Sequence, residues 1–123
     1  MSTWIIDGLE TKHYSVVHVA IGKQLVITMC PDDDEFRFNV IFNDFHSFNL
    51  ADESYRLKFL YETKDMRHGK GVFWKFEDSP QLEDFHSQGL ELYGNITFLH
   101  YAIYTDNDCI DIISKESPHV QLL

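Results

Sequence analysis

Between positions 36 and 42 the chain reads Phe-Arg-Phe-Asn-Val-Ile-Phe, and this alternation constrains the fold more than any other feature. Phe36, Phe38, Val40 and Phe42 point to one side while Arg37, Asn39 and Asn43 point to the other. A period of two is met only by an extended strand with one buried face, and Ile41 alone breaks it. The period returns in Tyr55, Leu57, Phe59 and Tyr61, which alternate with Arg56, Lys58 and Glu62, and again in Val72, Trp74 and Phe76. Repeated half-buried strands within 123 residues predict one domain over 1–123 with a single core dominated by β-structure.

Punctuation residues set the order of elements. Tyr14 to Ile21 and Gln24 to Met29 are aliphatic, β-branched runs around Gly22-Lys23, which predicts a two-residue hairpin. Pro31 followed by Asp32, Asp33, Asp34 and Glu35 predicts a solvated acidic loop, because four adjacent carboxylates resist burial. A short strand is expected around Phe45 to Leu50. Ser79-Pro80 predicts the start of a helix, since serine caps free amides and proline has no N–H to lose at the first helical position. Gly89 is expected to end that helix in a left-handed conformation, with Leu82, Phe85 and His86 on its inner face and Leu90 closing against Phe85. Thr97 to Tyr104 and Cys109 to Ser114 read as strands around a polar turn at 105–108. The segment from Val120 to Leu123 is expected to pair at an edge or dock its end, and Trp4, Ile5 and Ile6 to add an edge strand or cover an apolar patch on a second subunit. Many strands with one late helix predict an α+β fold built on a predominantly antiparallel sheet.

Charge narrows the partners. Ten basic against twenty acidic residues give a formal charge of −10, which repels phosphate backbones and anionic lipid and favours encounter with basic proteins. Nucleic acid and membrane are therefore not expected partners. No segment reaches the length of an apolar bilayer span, and the start lacks a basic stretch followed by an apolar one. Two cysteines, Cys30 and Cys109, are too few for a disulfide framework, so free thiols in a reducing cytoplasm are expected.

Motifs for chemistry are sparse. There is no nucleophile elbow, phosphate loop or dinucleotide fingerprint, and Gly69-Lys70-Gly71 is not followed by a helix. The seven histidines include no close ligand pair, although His46, His86 and His100 lie in segments that a sheet-plus-helix fold can bring together. His100 reads as a strand residue hydrogen-bonded near the core. Asp106, Asp108 and Asp111 supply three carboxylates in six residues but lack the glycine and closing glutamate of a calcium loop, so a turn in which aspartates bond their own backbone is expected, and no metal or other cofactor. Asp44 and His46 share a side of their strand if Phe45 points inward.

The runs Asp44-Phe45-His46-Ser47-Phe48 with Asp52-Glu53-Ser54-Tyr55, and His100-Tyr101-Ala102-Ile103-Tyr104 with Asp108-Cys109-Ile110-Asp111-Ile112-Ile113, resemble small uncharacterised bacterial proteins, some of the kind found as immunity partners of secreted toxins. That resemblance implies a small cytoplasmic binding protein and carries over no active-site residue. The expected contact surface is the loop Asp32, Asp33, Asp34 and Glu35 together with the turn acids Asp106, Asp108 and Asp111, facing a basic protein. The alternatives are a homodimeric housekeeping protein, in which acidity serves solubility, and, less supported, a small-molecule-binding protein or an enzyme.

Overall fold

The computed structural model describes residues 2–3, 13–33, 35–52, 73–89, 96–105 and 107–123. They form two antiparallel sheets. In the first, β2 (Tyr14–Ile21), β3 (Leu25–Pro31), β4 (Phe38–Phe42) and β9 (His119–Leu122) lie in the order β2-β3-β4-β9. In the second, β1 (Ser2–Thr3), β5 (Phe45–Asp52), β6 (Phe73–Phe76), β7 (Leu99–Tyr104) and β8 (Asp108–Ser114) lie in the order β1-β6-β7-β8-β5. Among the described residues the single helix, α1 (Pro80–Gln88), connects β6 towards β7. The fold is α+β and mostly antiparallel sheet, as the alternation predicts.

The sheets face each other across one core because the longer strands of each offer an apolar side. β3 shows this most plainly: Leu25, Ile27 and Met29 are fully buried while Val26, Thr28 and Cys30 are only half-buried. Phe38, Val40 and Phe42 of β4 meet Phe73, Tyr101, Ile103, Ile110 and Ile112 of the opposite sheet. Aromatic rings meet in this core: Tyr14 lies 5.5 Å edge-on to Phe38 of its own sheet, and across the layers Tyr14 lies 5.7 Å from Phe73 and Phe42 5.5 Å edge-on to Tyr101. Such tilted pairs each add about 0.5–1.5 kcal/mol beyond area burial. Ile41, which breaks the alternation, faces away from this core yet is 8% exposed.

The five-stranded sheet is buried on its other face too. Trp74, Phe76, His100, Ala102, Tyr104, Cys109, Asp111 and Ile113 alternate with the inner residues, and all are buried. α1 lies on this outer side, where Leu82 and the half-buried Phe85 pack with Phe98 and Ile113. Alternation along β7 and β8 therefore separates two interiors, one between the sheets and one on the outer face, where α1 meets Phe98 and Ile113.

Several local expectations change. Ile21 pairs with Leu25, so three residues, Gly22, Lys23 and Gln24, connect β2 to β3, and the Gly22 amide closes the turn on the Gln24 carbonyl at 3.0 Å. Gly89 is right-handed (φ −76°, ψ −6°): its N–H continues the helical ladder to the Phe85 carbonyl at 3.1 Å, so no left-handed turn is required there. β9 pairs with β4 as a terminal strand, which settles the segment from Val120 onward. Ser2 and Thr3 add an edge pairing to β6, whereas Ile5 and Ile6, expected with Trp4 to add an edge strand or cover a patch, lie outside the described residues. Trp4, Val72, Leu90 and the expected strand Tyr55 to Tyr61 lie outside the described residues.

Candidate functional site

The acids expected to face a partner do not form one group. Asp32, Asp33 and Glu35 are exposed on the connection after β3. Asp32 is fixed there, since its N–H donates to the His13 carbonyl at 3.0 Å and its Oδ1 accepts from Ser15 Oγ at 2.6 Å. Asp34 and Asp106 lie outside the described residues. Asp108 is half-buried at the start of β8. Its N–H donates to Thr105 Oγ1 at 3.0 Å, as does that of Asn107 at 3.3 Å, so the side chain seen bonding the turn backbone is a threonine where aspartates were expected.

Asp111 departs furthest from its expected place. It lies mid-strand in β8 at 5% exposure and is no part of the turn surface. The reason is parity: Cys109, Asp111 and Ile113 share the outer face of the five-stranded sheet, and that face is covered. Register then places its partners. Ala102 sits opposite Asp111, so His100 and Tyr104, two residues to either side of Ala102 on the same face, are its diagonal neighbours.

Those neighbours build a buried polar relay. His100 Nε2 is 2.6 Å from Asp111 Oδ1, and Tyr104 donates its hydroxyl to the same oxygen at 2.6 Å. On the other side of the ring, His100 Nδ1 is 2.9 Å from Ser79 Oγ, and that oxygen also accepts the Leu82 N–H at 3.1 Å as the N-cap of α1. Phe76 stacks on the imidazole with centroids 4.8 Å apart and planes at 22°. His100 is 0% exposed and Ser79 is 6% exposed. Nε2–H donates to the carboxylate, and Ser79 Oγ meets Nδ1 while accepting the Leu82 N–H. The relay ties the first turn of α1 to the centre of the sheet.

Serine, histidine and aspartate stand here in hydrogen-bonded series, the order of a nucleophilic triad, with the serine oxygen also serving as the helix cap. A triad serine needs amide donors where an oxyanion develops. Pro80 has no N–H, and the Leu82 N–H is already engaged by Ser79 Oγ itself. The relay is arranged to hold a helix cap, and its buried members make little contact with solvent.

Of the three histidines expected to converge, His46 and His86 lie together elsewhere. Among the ring contacts, His46 lies 4.9 Å and His86 6.0 Å from Phe98, both edge-on, and His86 also lies 5.7 Å from Phe85. Phe45 does point into the main core, and His46 Nε2 is 3.3 Å from Asp44 Oδ1, with Lys115 Nζ 3.3 Å from the other carboxylate oxygen. This partly exposed group is distinct from His100 and its partners. Among the described residues no three His, Cys, Asp or Glu side chains gather as a metal-ligand set. Both cysteines are free, Cys109 buried and Cys30 half-buried. No helix among the described residues is long and apolar enough to cross a membrane. Comparisons with protein-family models, curated proteins and solved structures find no match for this chain.

Proposed function

We propose that the protein is a small cytoplasmic binding module that meets a basic protein partner through acidic connections, in the manner of an immunity protein that neutralises a basic toxin. The observation that carries this reading is where the acids stand. Asp32, Asp33 and Glu35 are exposed on a connection between strands, and Glu77, Asp78, Glu83 and Asp84 are exposed at and within α1, while the formal charge of the chain is −10. Carboxylates outside the ladders can be desolvated against a partner without disturbing the core, and a one-signed surface raises association rates with an oppositely charged protein. Asp34, Asp106 and Asp108 belong to the proposed surface by sequence position. Asp111 does not, because its carboxylate serves the buried relay.

The test begins with affinity capture from the native host and continues with association kinetics on the purified pair. Replacing Asp32, Asp33, Asp34 and Glu35 together by Asn and Gln is expected to slow association several-fold at low salt and to flatten its salt dependence, with dissociation less affected. Unaltered kinetics at low ionic strength refute the acidic loop as a contact. A homodimer is favoured by a different observation, the exposure of Val17 and Ile21 on β2 and of Leu122 and Leu123 at β9. Sedimentation of the free protein separates this reading from the first.

A further inference from the structure

α1 is short and mostly exposed, and the attachments seen at Ser79 and Leu82 lie at its start. Leu82 is its only buried side chain. Gln81 and Phe85 are half-buried, and Glu83, Asp84, His86, Ser87 and Gln88 face solvent. A helix of nine residues is too short to persist by itself in water, so α1 owes its existence to what it touches. Two attachments stand out: Leu82 and Phe85 against Phe98 and Ile113, and the Ser79 hydroxyl against His100. Beneath it, β7 and β8 are paired along their whole lengths and buried on both faces, so the sheet does not depend on the helix for its hydrogen bonds.

We propose that α1 is a cover that opens as a unit from the outer face of the five-stranded sheet, with the Ser79–His100 hydrogen bond as its clasp. Opening undocks Leu82, uncovers Phe98 and Ile113, and gives water access to His100 Nδ1, while the two-sheet core stays closed. Ser79 carries both functions because one oxygen caps the helix and meets the ring. A released clasp therefore also loosens the first turn, which makes undocking and helix melting cooperative. This inference stands whether or not the acidic surface meets a partner.

Native-state hydrogen exchange on the full chain, in urea below the unfolding transition, tests it. The amides of Glu83 through Gly89 are expected to exchange together, on the order of a hundredfold or more faster than those of Ile27, Val40 and Ile112, and with a smaller but non-zero urea dependence. His100→Phe keeps the cap on Leu82 and removes the clasp, together with the ring's hydrogen bond to Asp111. It is expected to accelerate all the α1 amides, Gly89 included, about fivefold to tenfold, the size of one lost hydrogen bond. Two results overturn the proposal. In one, the α1 amides of the unaltered protein exchange with the same urea slope as Ile112, so the helix leaves only when everything unfolds. In the other, they exchange unevenly with no urea dependence, which is fraying of single residues. Both are read on the unaltered protein, so they decide the matter even if His100→Phe fails to fold.

Discussion

Replacing Asp111 and His100 together should cost less than the two separate replacements add up to. Asp111 Oδ1 accepts two buried hydrogen bonds of 2.6 Å, from His100 and Tyr104. Asp111→Leu leaves the His100 N–H and the Tyr104 O–H facing an apolar side chain, and each orphaned donor costs about 1–3 kcal/mol. The single substitution is thus expected to lose about 2–6 kcal/mol, the sum of two such penalties. His100→Phe fits beside Phe76 but removes one donor from the carboxylate and the ring partner from Ser79, at a similar cost of about 2–5 kcal/mol for breaking a buried partnership. In the double variant the mutual penalties of His100 and Asp111 disappear, and only Tyr104 and Ser79 remain to be re-satisfied. The expected coupling is about 2 kcal/mol in the direction of rescue, within the range found for contacting pairs. Equilibrium unfolding in urea, followed by far-UV circular dichroism with the slope checked for constancy across all four proteins, measures it. Additivity within about 0.5 kcal/mol, the behaviour of independent sites, would refute the relay as a coupled unit.

Leu82→Ala should cost about 2–3 kcal/mol, the lower part of the range for a buried leucine, because a helix that can undock limits what its contacts contribute to global stability. Phe85→Ala should cost less than Leu82→Ala, since Phe85 is only half-buried; the reverse order in urea titrations would contradict the packing. Thr105→Ala removes the acceptor for two turn amides and should destabilise by about 1 kcal/mol, as loss of a capping hydroxyl does. With thiol reagents the native protein should react first at half-buried Cys30 and only after opening at Cys109, and denatured protein prepared without reductant should titrate both; equal native rates would place Cys109 nearer the surface than its 1% exposure allows.

How much of this was legible beforehand depends on whether a residue type announces its side. Apolar alternation placed β4 and β6, because period two and burial are the same statement on a strand, while apolar runs set about turn residues placed β2, β3, β7 and β8. Ser79-Pro80 placed the helix start to the residue, since cap chemistry is local. Asp111 was misplaced for the opposite reason: an acid beside other acids reads as surface, and its burial follows only from having both faces of the sheet covered. The clue was present in the spacing of His100 and Tyr104 about Ala102, which a hairpin at 105–108 sets opposite Asp111. Ser79 was legible as a cap but not as a partner of His100, because that contact depends on how α1 lies on the sheet. Gly89 shows a limit of another kind. A glycine after a helix permits the left-handed turn without requiring it, and here the ladder simply continues one residue further.

The order of strands also bears on how quickly the chain can find this arrangement. β4 meets β9, with Phe38 opposite Leu122 and Ile41 opposite His119, and β5 meets β8, with Phe45 opposite Ser114. Ser2 at the start pairs with Lys75. Only the β2–β3, β3–β4 and β7–β8 contacts join consecutive strands across short connections. The remaining pairings close large loops before their hydrogen bonds form, and topologies dominated by such pairings fold in about milliseconds to seconds, where helical bundles of similar size need microseconds to milliseconds. During synthesis β4 must therefore wait with one edge open until residue 119 has left the ribosome. The exposed strand is Phe-Asn-Val-Ile-Phe, rich in the residues that pair indiscriminately. Arg37 just before it and the net negative charge of the chain oppose self-association during that interval.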